Sequence, residues 1–210
     1  SPVQRATTLR QYRNYANLAE SYSTIPSRFL AITHGVSAVG KSHVSMRLVE
    51  ALGAVRLRSD VERKRLFGEQ QVENTLQAGI YAADASTATY ARLNDLADTV
   101  LRAGFPVVLD ATFLKREQRE AAAKVAEATG APFLILDCNA PQAVISSWLA
   151  QRQADKNDPS DATLAVIEAQ QANRDPLTAE ELLLSKRVET NQSGTLDAVV
   201  AQIRQRLPGL

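Results

Sequence analysis

Gly35-Val36-Ser37-Ala38-Val39-Gly40-Lys41-Ser42 decides how this chain is read. It matches G-x-x-x-x-G-K-[ST], and it sits in the surroundings that such a loop needs. Phe29-Leu30-Ala31-Ile32 before it is a continuous apolar run, the mark of a buried strand, and Val44, Leu48 and Leu52 after it recur at helical spacing. A strand that turns directly into a helix presents unpaired N–H groups and a positive dipole end to an anion in the turn. The two glycines let the backbone wrap closely around that anion. Lys41 then brings a mobile charge to the β and γ phosphates of a nucleotide, and the Ser42 hydroxyl is placed to ligate magnesium. The expected ATP-binding set is Gly35, Val36, Ser37, Ala38, Val39, Gly40, Lys41, Ser42 and the following His43.

Outward from the loop, Ala54-Val55-Arg56-Leu57-Arg58 reads as a second strand that delivers Ser59, Asp60 and Arg63 at its carboxyl end. Open α/β sheets bind ligands at that edge. A carboxylate there can take the proton of an attacking hydroxyl, and an arginine one helical turn on can hold an anionic group of the acceptor. Ser59 and Asp60 would equally cap a helix beginning near Val61, so spacing leaves base and cap both open for Asp60. Arg56, Arg58, Arg63, Lys64 and Arg65 make this the most basic stretch, with a solvated helix face as the default for most of them.

Residues 75–103 form a long helical tract ended by Gly104, with Leu76, Ile80, Ala83, Thr87, Tyr90, Leu93, Leu96, Ala97, Val100 and Leu101 as its apolar side. Pro106-Val107-Val108-Leu109-Asp110 is a short buried strand with an acid at its carboxyl end, positioned to ligate magnesium directly or through water. Thr112, at the mouth of the site, either touches substrate or starts the next helix.

A helix over 115–129, closed by Gly130 and Pro132, leads to a strand over Phe133–Cys138. Cys138 reads as a small buried residue rather than a nucleophile, because it has no basic neighbour. A helix over 141–154 turns Val144, Ile145, Trp148 and Leu149 inward and offers Arg152 near its end. The polar stretch Gln153 to Asp161 reads as a hinged lid near 152–161 that closes over ATP, with Arg152 or Lys156 neutralising charge; an ordinary helix connection is the alternative. Helices near 161–174 and 178–186, a strand over 187–190 and a helix over 195–207 finish the chain. Neither His34 nor His43 has metal-ligand spacing, so both read as structural. Five strands alternating with helices predict a mostly parallel, doubly wound α/β sheet with helices on both faces and a helical lid.

Length and charge set the outer bounds. A chain of 210 residues suits one α/β domain with additions. With 24 Lys and Arg against 23 Asp and Glu, its overall field offers no argument for nucleic acid or an anionic membrane. A single cysteine excludes an internal disulfide, and no apolar run is long enough to span a bilayer, so a soluble cytoplasmic protein is expected. Residues 3–23 carry Leu9, Tyr12, Tyr15, Ala16, Ala19 and Tyr22 at helical spacing, which predicts an amphipathic helix that packs on the core or connects to an upstream domain. The start at Ser1-Pro2 favours a segment of a longer polypeptide, or one trimmed from a tag. The expected division is a connector over 1–27 and a catalytic domain over 28–210.

Four stretches together carry a resemblance: Ile32 to Ser42, Val55-Arg56-Leu57-Arg58-Ser59-Asp60-Val61-Glu62-Arg63-Lys64-Arg65-Leu66, Val108-Leu109-Asp110-Ala111-Thr112-Phe113, and Ser160-Asp161-Ala162. They are similar to a bacterial family of P-loop kinase-like proteins, often the carboxyl-terminal half of larger chains fused to an aminoglycoside phosphotransferase-like domain. Gluconate kinases, polynucleotide kinase, chloramphenicol phosphotransferase and zeta-type toxins are its relatives. The similarity covers nearly the whole chain, and Tyr12 to Tyr22 resembles the family's connector helix. It implies a nucleotide-kinase-type fold with strand order 2-3-1-4-5, with Asp60 as base or orienter of the acceptor hydroxyl and Arg63 as the holder of acceptor phosphate. A lid arginine comparable to Arg152 would bridge the transferring phosphate. The chain departs from the family where Ala38 and Val39 replace the common Gly and Ser, and where His43 replaces Thr. Because the cradle uses backbone N–H groups, its chemistry tolerates these changes.

The reading that follows is an ATP- and Mg2+-dependent phosphotransferase that moves the γ-phosphate to a hydroxyl of a small-molecule acceptor. Lys41, Asp60 and Arg152 are its catalytic candidates, Asp60, Arg63 and Thr112 its acceptor-binding candidates, and Ser42 and Asp110 its metal ligands. The alternatives are a nucleotide-binding regulatory module or NTPase without an acceptor, and a toxin-like or polynucleotide-type kinase. Near-neutral charge and the lack of an aromatic and basic stacking surface argue against nucleic acid.

Overall fold

A computed structural model describes residues 2–23, 27–68, 80–154, 164–192 and 194–206. In chain order the elements are α1 (Pro2–Ser23), β1 (Leu30–His34), α2 (Lys41–Leu52), β2 (Val55–Arg58), α3 (Ser59–Phe67), α4 (Ile80–Arg102), β3 (Val107–Asp110), α5 (Arg116–Thr129), β4 (Phe133–Asn139), α6 (Gln142–Ala154), α7 (Leu164–Ala172), α8 (Ala179–Leu184), β5 (Ser185–Glu189) and α9 (Thr195–Arg206). The five strands form one sheet in the order β2-β3-β1-β4-β5, and every pairing in it is parallel. β1 lies at the centre, with Leu30 opposite both Val107 of β3 and Phe133 of β4. This is the expected doubly wound α/β architecture, and it carries the strand order that the resemblance implied.

Side chains alternate across a strand, and the central strands use that alternation to build two cores. Phe29, Ala31, Val108 and Leu136 face a layer made by α2, α6, α7 and α9, through Val44, Leu48, Ile145, Ile167 and Val199. Leu30, Ile32, Leu109 and Ile135 face the opposite layer, made by α4 and α5 through Leu93, Ala97, Leu101, Ala122 and Ala126. Because both faces are covered, the strands read as unbroken apolar runs, which is what made them legible.

Several boundaries differ from the sequence reading. α3 begins at Ser59 rather than Val61, with Arg58 as its N-cap residue and no side-chain cap bond. β5 begins at Ser185, two residues earlier than expected, because it pairs along β4 from Ile135. Thr87, expected on the apolar side of the long helix, is exposed, while Ala85 and Thr89 are buried. Trp148 and Val144 are half-buried, so Ile145 and Leu149 provide the inward face of α6. Leu9, Tyr12 and Tyr15 of α1 are exposed, so these side chains do not pack on the core. The described residues include no helix long and apolar enough to cross a membrane.

Candidate active site

The loop between β1 and α2 takes its path from two glycines whose surroundings exclude a side chain. Gly35 has φ 139°, and a Cβ there would stand 2.7 Å from the Cys138 carbonyl oxygen of β4. Gly40 has φ 92°, and a Cβ would meet the Thr190 side chain at 3.0 Å. Thr190 follows β5 and fastens the loop from outside: its Oγ1 donates to the Val39 carbonyl at 2.6 Å, and its N–H to Asn139 O at 2.9 Å. Val36, Ala38 and Val39 are buried and join the α2-side core, so the loop is anchored by its own apolar side chains. Ala38 stands at φ 62°, a left-handed conformation that costs a non-glycine residue about 1 kcal/mol. That is the position where the resembling family commonly has glycine.

Lys41, 9% exposed, lies in the first turn of α2, and its Nζ donates to the Val36 carbonyl at 2.6 Å across the loop. His43 is exposed on α2. Ser37 is held by a residue that the sequence reading missed: its N–H donates to Gln170 Oε1 of α7 at 2.7 Å, while Gln170 Nε2 donates to Ser37 Oγ at 3.1 Å. Ile167, one turn earlier on α7, is fully buried beside the loop's apolar residues.

Asp110 ends β3 with 6% exposure. Its Oδ2 accepts from Ser45 Oγ at 2.9 Å, from Arg56 Nε at 3.0 Å and from Arg56 Nη2. Ser45 also lies 3.1 Å from the Ser42 carbonyl, so Ser42 and Asp110 flank the same buried serine. The described residues hold no cluster of three or more His, Cys, Asp or Glu side chains that would cage a metal. One hydroxyl and one carboxylate, both hard oxygen donors, fit magnesium, which takes one or two protein ligands and fills its shell with water and phosphate oxygens.

Asp60, expected to face an acceptor, lies in the first turn of α3. Its Oδ1 accepts the Val61 N–H at 2.8 Å, and its Oδ2 accepts from Arg58 Nη2 at 2.5 Å. The side chain thus satisfies one free N–H of the helix start although it is not the N-cap residue, and it faces an arginine at the same time. Arg63, one turn later, has a buried Nε with no hydrogen-bond partner among the described residues. Its charge acts on Tyr90 of α4, whose hydroxyl burial holds above the usual phenol range despite that cation and the bonds to Thr112 and Phe113. Tyr90 Oη lies 3.0 Å from Thr112 Oγ1 and accepts the Phe113 N–H at 3.2 Å. The Thr112 carbonyl in turn accepts the Gly35 N–H at 3.1 Å. Tyr90, Thr112 and Gly35 therefore form a line of contacts from α4 to the loop, with the charge of Arg63 acting on its outer end, and Tyr90 had been expected only to pack.

The turn after Asp110 is fixed by a residue without any sequence signal. Arg119 of α5 is 1% exposed and donates to Glu181 Oε1 (2.6 Å) and Oε2 (3.0 Å), and to the carbonyls of Phe113, Leu114, Asp175 and Pro176. Phe113 stands at φ 47°, and this clamp surrounds the strained turn. Burial pushes the Glu181 carboxyl up, but the bonds from Arg119 and Thr178 outweigh it and hold the group below 4.5.

His34 Nδ1 lies 2.8 Å from Asp137 Oδ1 on the neighbouring strand, while its buried Nε2 has no hydrogen-bond partner among the described residues. Burial raises the Asp137 carboxyl, but hydrogen bonds from His34 and Asn139 bring it below the usual range. Cys138 is buried, and burial pushes its thiol up to about 12, which makes it inert at neutral pH. Arg152 falls in the last turn of α6, but its side chain lies outside the described residues, as do Lys156, Ser160-Asp161-Ala162 and most of the expected lid.

Comparisons with known proteins bear on the fold and the family. An uncharacterized protein of Mycobacterium tuberculosis (strain ATCC 25618 / H37Rv) is 28% identical over 152 residues, 70% of this chain and 30% of the relative. The chain thus spans about a third of the length of the curated relatives it matches. Among solved structures, a gluconokinase from Sinorhizobium meliloti 1021 superposes with a TM-score of 0.61 at 18% identity, over 87% of this chain and 95% of that one. The APS kinase CysC of Mycobacterium tuberculosis, in complex with AMPPNP and APS, gives 0.57 at 20% identity, over 86% and 97%. These likenesses show the P-loop kinase-type fold. The family described as an AAA domain (AAA_33) matches residues 30–177, and the chain belongs to that family.

Proposed function

We propose that this chain is an ATP- and Mg2+-dependent phosphotransferase acting on a hydroxyl of a small-molecule acceptor. The observation that carries the reading is the Tyr90–Thr112–Gly35 chain of contacts beside the phosphate-binding loop, with the charge of Arg63, whose Nε is buried without a partner among the described residues, acting on Tyr90. An acceptor with an anionic group would be held by Arg63, and its hydroxyl directed toward Asp60. Lys41, already at the loop, would follow charge onto the transferring phosphate. Phosphoryl transfer needs little covalent help from protein, so positioning and charge neutralisation are what such a site has to supply. Ser42 and Asp110 would hold magnesium, which neutralises phosphate charge when bound. Arg152 keeps its proposed role as a lid cation. The substrates named for the solved kinases, gluconate-type and APS among them, support a small acceptor as the class.

The longer relatives, together with the exposed Leu9, Tyr12 and Tyr15 of α1, support α1 as a connector to an upstream domain, and ATP use supports a cytoplasmic setting. A second reading, a nucleotide-gated module without an acceptor, draws on the Gln170–Ser37 contact that joins the helix after the expected lid to the loop. ADP release from Mg-ATP separates the two, measured against sugar acids, aminoglycosides, nucleosides, nucleotide sugars and 5′-hydroxyl oligonucleotides. Acceptor-stimulated turnover that Asp60→Asn loses while still binding ATP is the expected result. Slow hydrolysis indifferent to every acceptor would return the site to the gated module, and unchanged turnover in Asp60→Asn would leave Asp60 as a helix-start residue alone.

A further inference from the structure

β2 carries two arginines two residues apart, and each holds a carboxylate that the proposed chemistry uses. Arg58 donates to Asp60 Oδ2 at 2.5 Å, and Arg56 donates through Nε and Nη2 to Asp110 Oδ2. The second pair runs across the register: Arg58 lies opposite Asp110 and Arg56 opposite Val108, yet it is the Arg56 guanidinium that reaches along the strand to Asp110. The Arg56 side chain is 16% exposed and that of Asp110 6%, so little water screens the pair. Asp110 Oδ2 already accepts from Arg56 and Ser45, so a divalent cation taking either oxygen of this carboxylate would sit beside the guanidinium. A guanidinium and Mg2+ crowded onto one nearly buried carboxylate repel each other strongly.

We propose that Arg56 is a positioning residue, the resident counter-ion of Asp110, which orients that carboxylate and is displaced when magnesium arrives with nucleotide. The inference rests on Ser42 and Asp110 as the magnesium-holding pair. Without Arg56, Asp110 would be an almost buried, unpaired charge, a costly state that explains why a basic residue stands on this short strand. Once displaced, the guanidinium is a free cation at the edge where phosphate charge gathers, and planar guanidinium groups match phosphate oxygens two at a time. The arrival of one cation at Asp110 thereby frees another for the phosphates.

Binding rather than turnover tests this. Calorimetric titration of ADP across a series of MgCl2 concentrations is compared for the wild type, Arg56→Gln and Arg56→Lys, with thermal melting in MgCl2 alone as a second readout. Arg56→Gln keeps donors but loses the charge. It is expected to reach half-maximal ADP affinity at a roughly tenfold lower magnesium concentration, the equivalent of one charge-assisted bond no longer broken. Magnesium alone should also raise its melting temperature more than that of the wild type. Arg56→Lys, which keeps a cation without the paired donors, should shift the same way by a few fold, and it carries the test if the glutamine variant does not fold. An unchanged or raised magnesium requirement in these variants overturns the inference while leaving the magnesium site standing. ADP binding by the wild type that ignores magnesium overturns the site and the inference together.

Discussion

Replacing Arg119 by methionine removes a cation that no local pattern marked and that the fold depends on. Its guanidinium is buried at 1% exposure and answers both oxygens of Glu181, itself 14% exposed, along with four backbone carbonyls. Methionine fills much of the volume, so the loss is chiefly electrostatic: a partly buried carboxylate without a partner and carbonyls without donors. Breaking a buried pair from one side costs about 3–5 kcal/mol. For a domain of this size each kcal/mol moves the melting temperature by about 2–4 °C, so a fall of roughly 10 °C is expected at pH 7. Because Glu181 is held below 4.5 in the fold, its contribution is fully present above that pH and is lost as pH falls through the lower folded value. The gap between wild type and Arg119→Met should therefore narrow on acidification. Circular dichroism melts from pH 7 down to pH 3 check both points, and Glu181→Gln should lose less at pH 7 because it keeps an acceptor oxygen. A loss under about 1 kcal/mol, the range of exposed pairs, or a gap that ignores pH, would refute the clamp.

Other consequences follow from the same contacts. Gly35→Ala would drive a Cβ to 2.7 Å from the Cys138 carbonyl, at a φ that side chains rarely adopt, so the loop must shift; nucleotide affinity should fall at least tenfold with a modest loss of stability, and wild-type affinity would contradict this. Lys41→Ala is expected to abolish most phosphotransfer while leaving the melting curve near that of the wild type, and full activity in that variant would sink the proposed function. The Cys138 thiol, pushed up to about 12 and buried, should resist a thiol reagent at pH 8 in the native protein and react once denatured; rapid native labelling would show an opening that the fold does not have.

The geometry of the loop was legible because its parts are neighbours in the chain. Gly35, Gly40, Lys41 and Ser42 fall within one strand-to-helix turn, and Asp110 closes an apolar run. The surroundings of Asp60 and Arg63, the proposed acceptor residues, were legible only in outline. Asp60 and Arg63 announced themselves one helical turn apart, but Tyr90 passed for a packing residue because its hydroxyl partners, Thr112 and Phe113, lie more than twenty residues on. Gln170 and Arg119 carried no signal, since amides and arginines on helices are ordinarily solvated. Their importance appears only when α7 settles on the loop and α5 on the turn after Asp110.

What the sequence determined by itself was therefore whatever depends on near neighbours: two-sided apolar strands, amphipathic helices, the phosphate-binding turn and the parallel sheet that such alternation demands. Tertiary structure decided which charges meet. Arg56 finds Asp110 across 54 positions, Arg119 finds Glu181 across 62 and Ser37 finds Gln170 across 133. The composition names these partners only as surface-type residues. Burial between strands and helices is what turns them into pairs, because a charge or amide taken out of water must find its complement inside the fold.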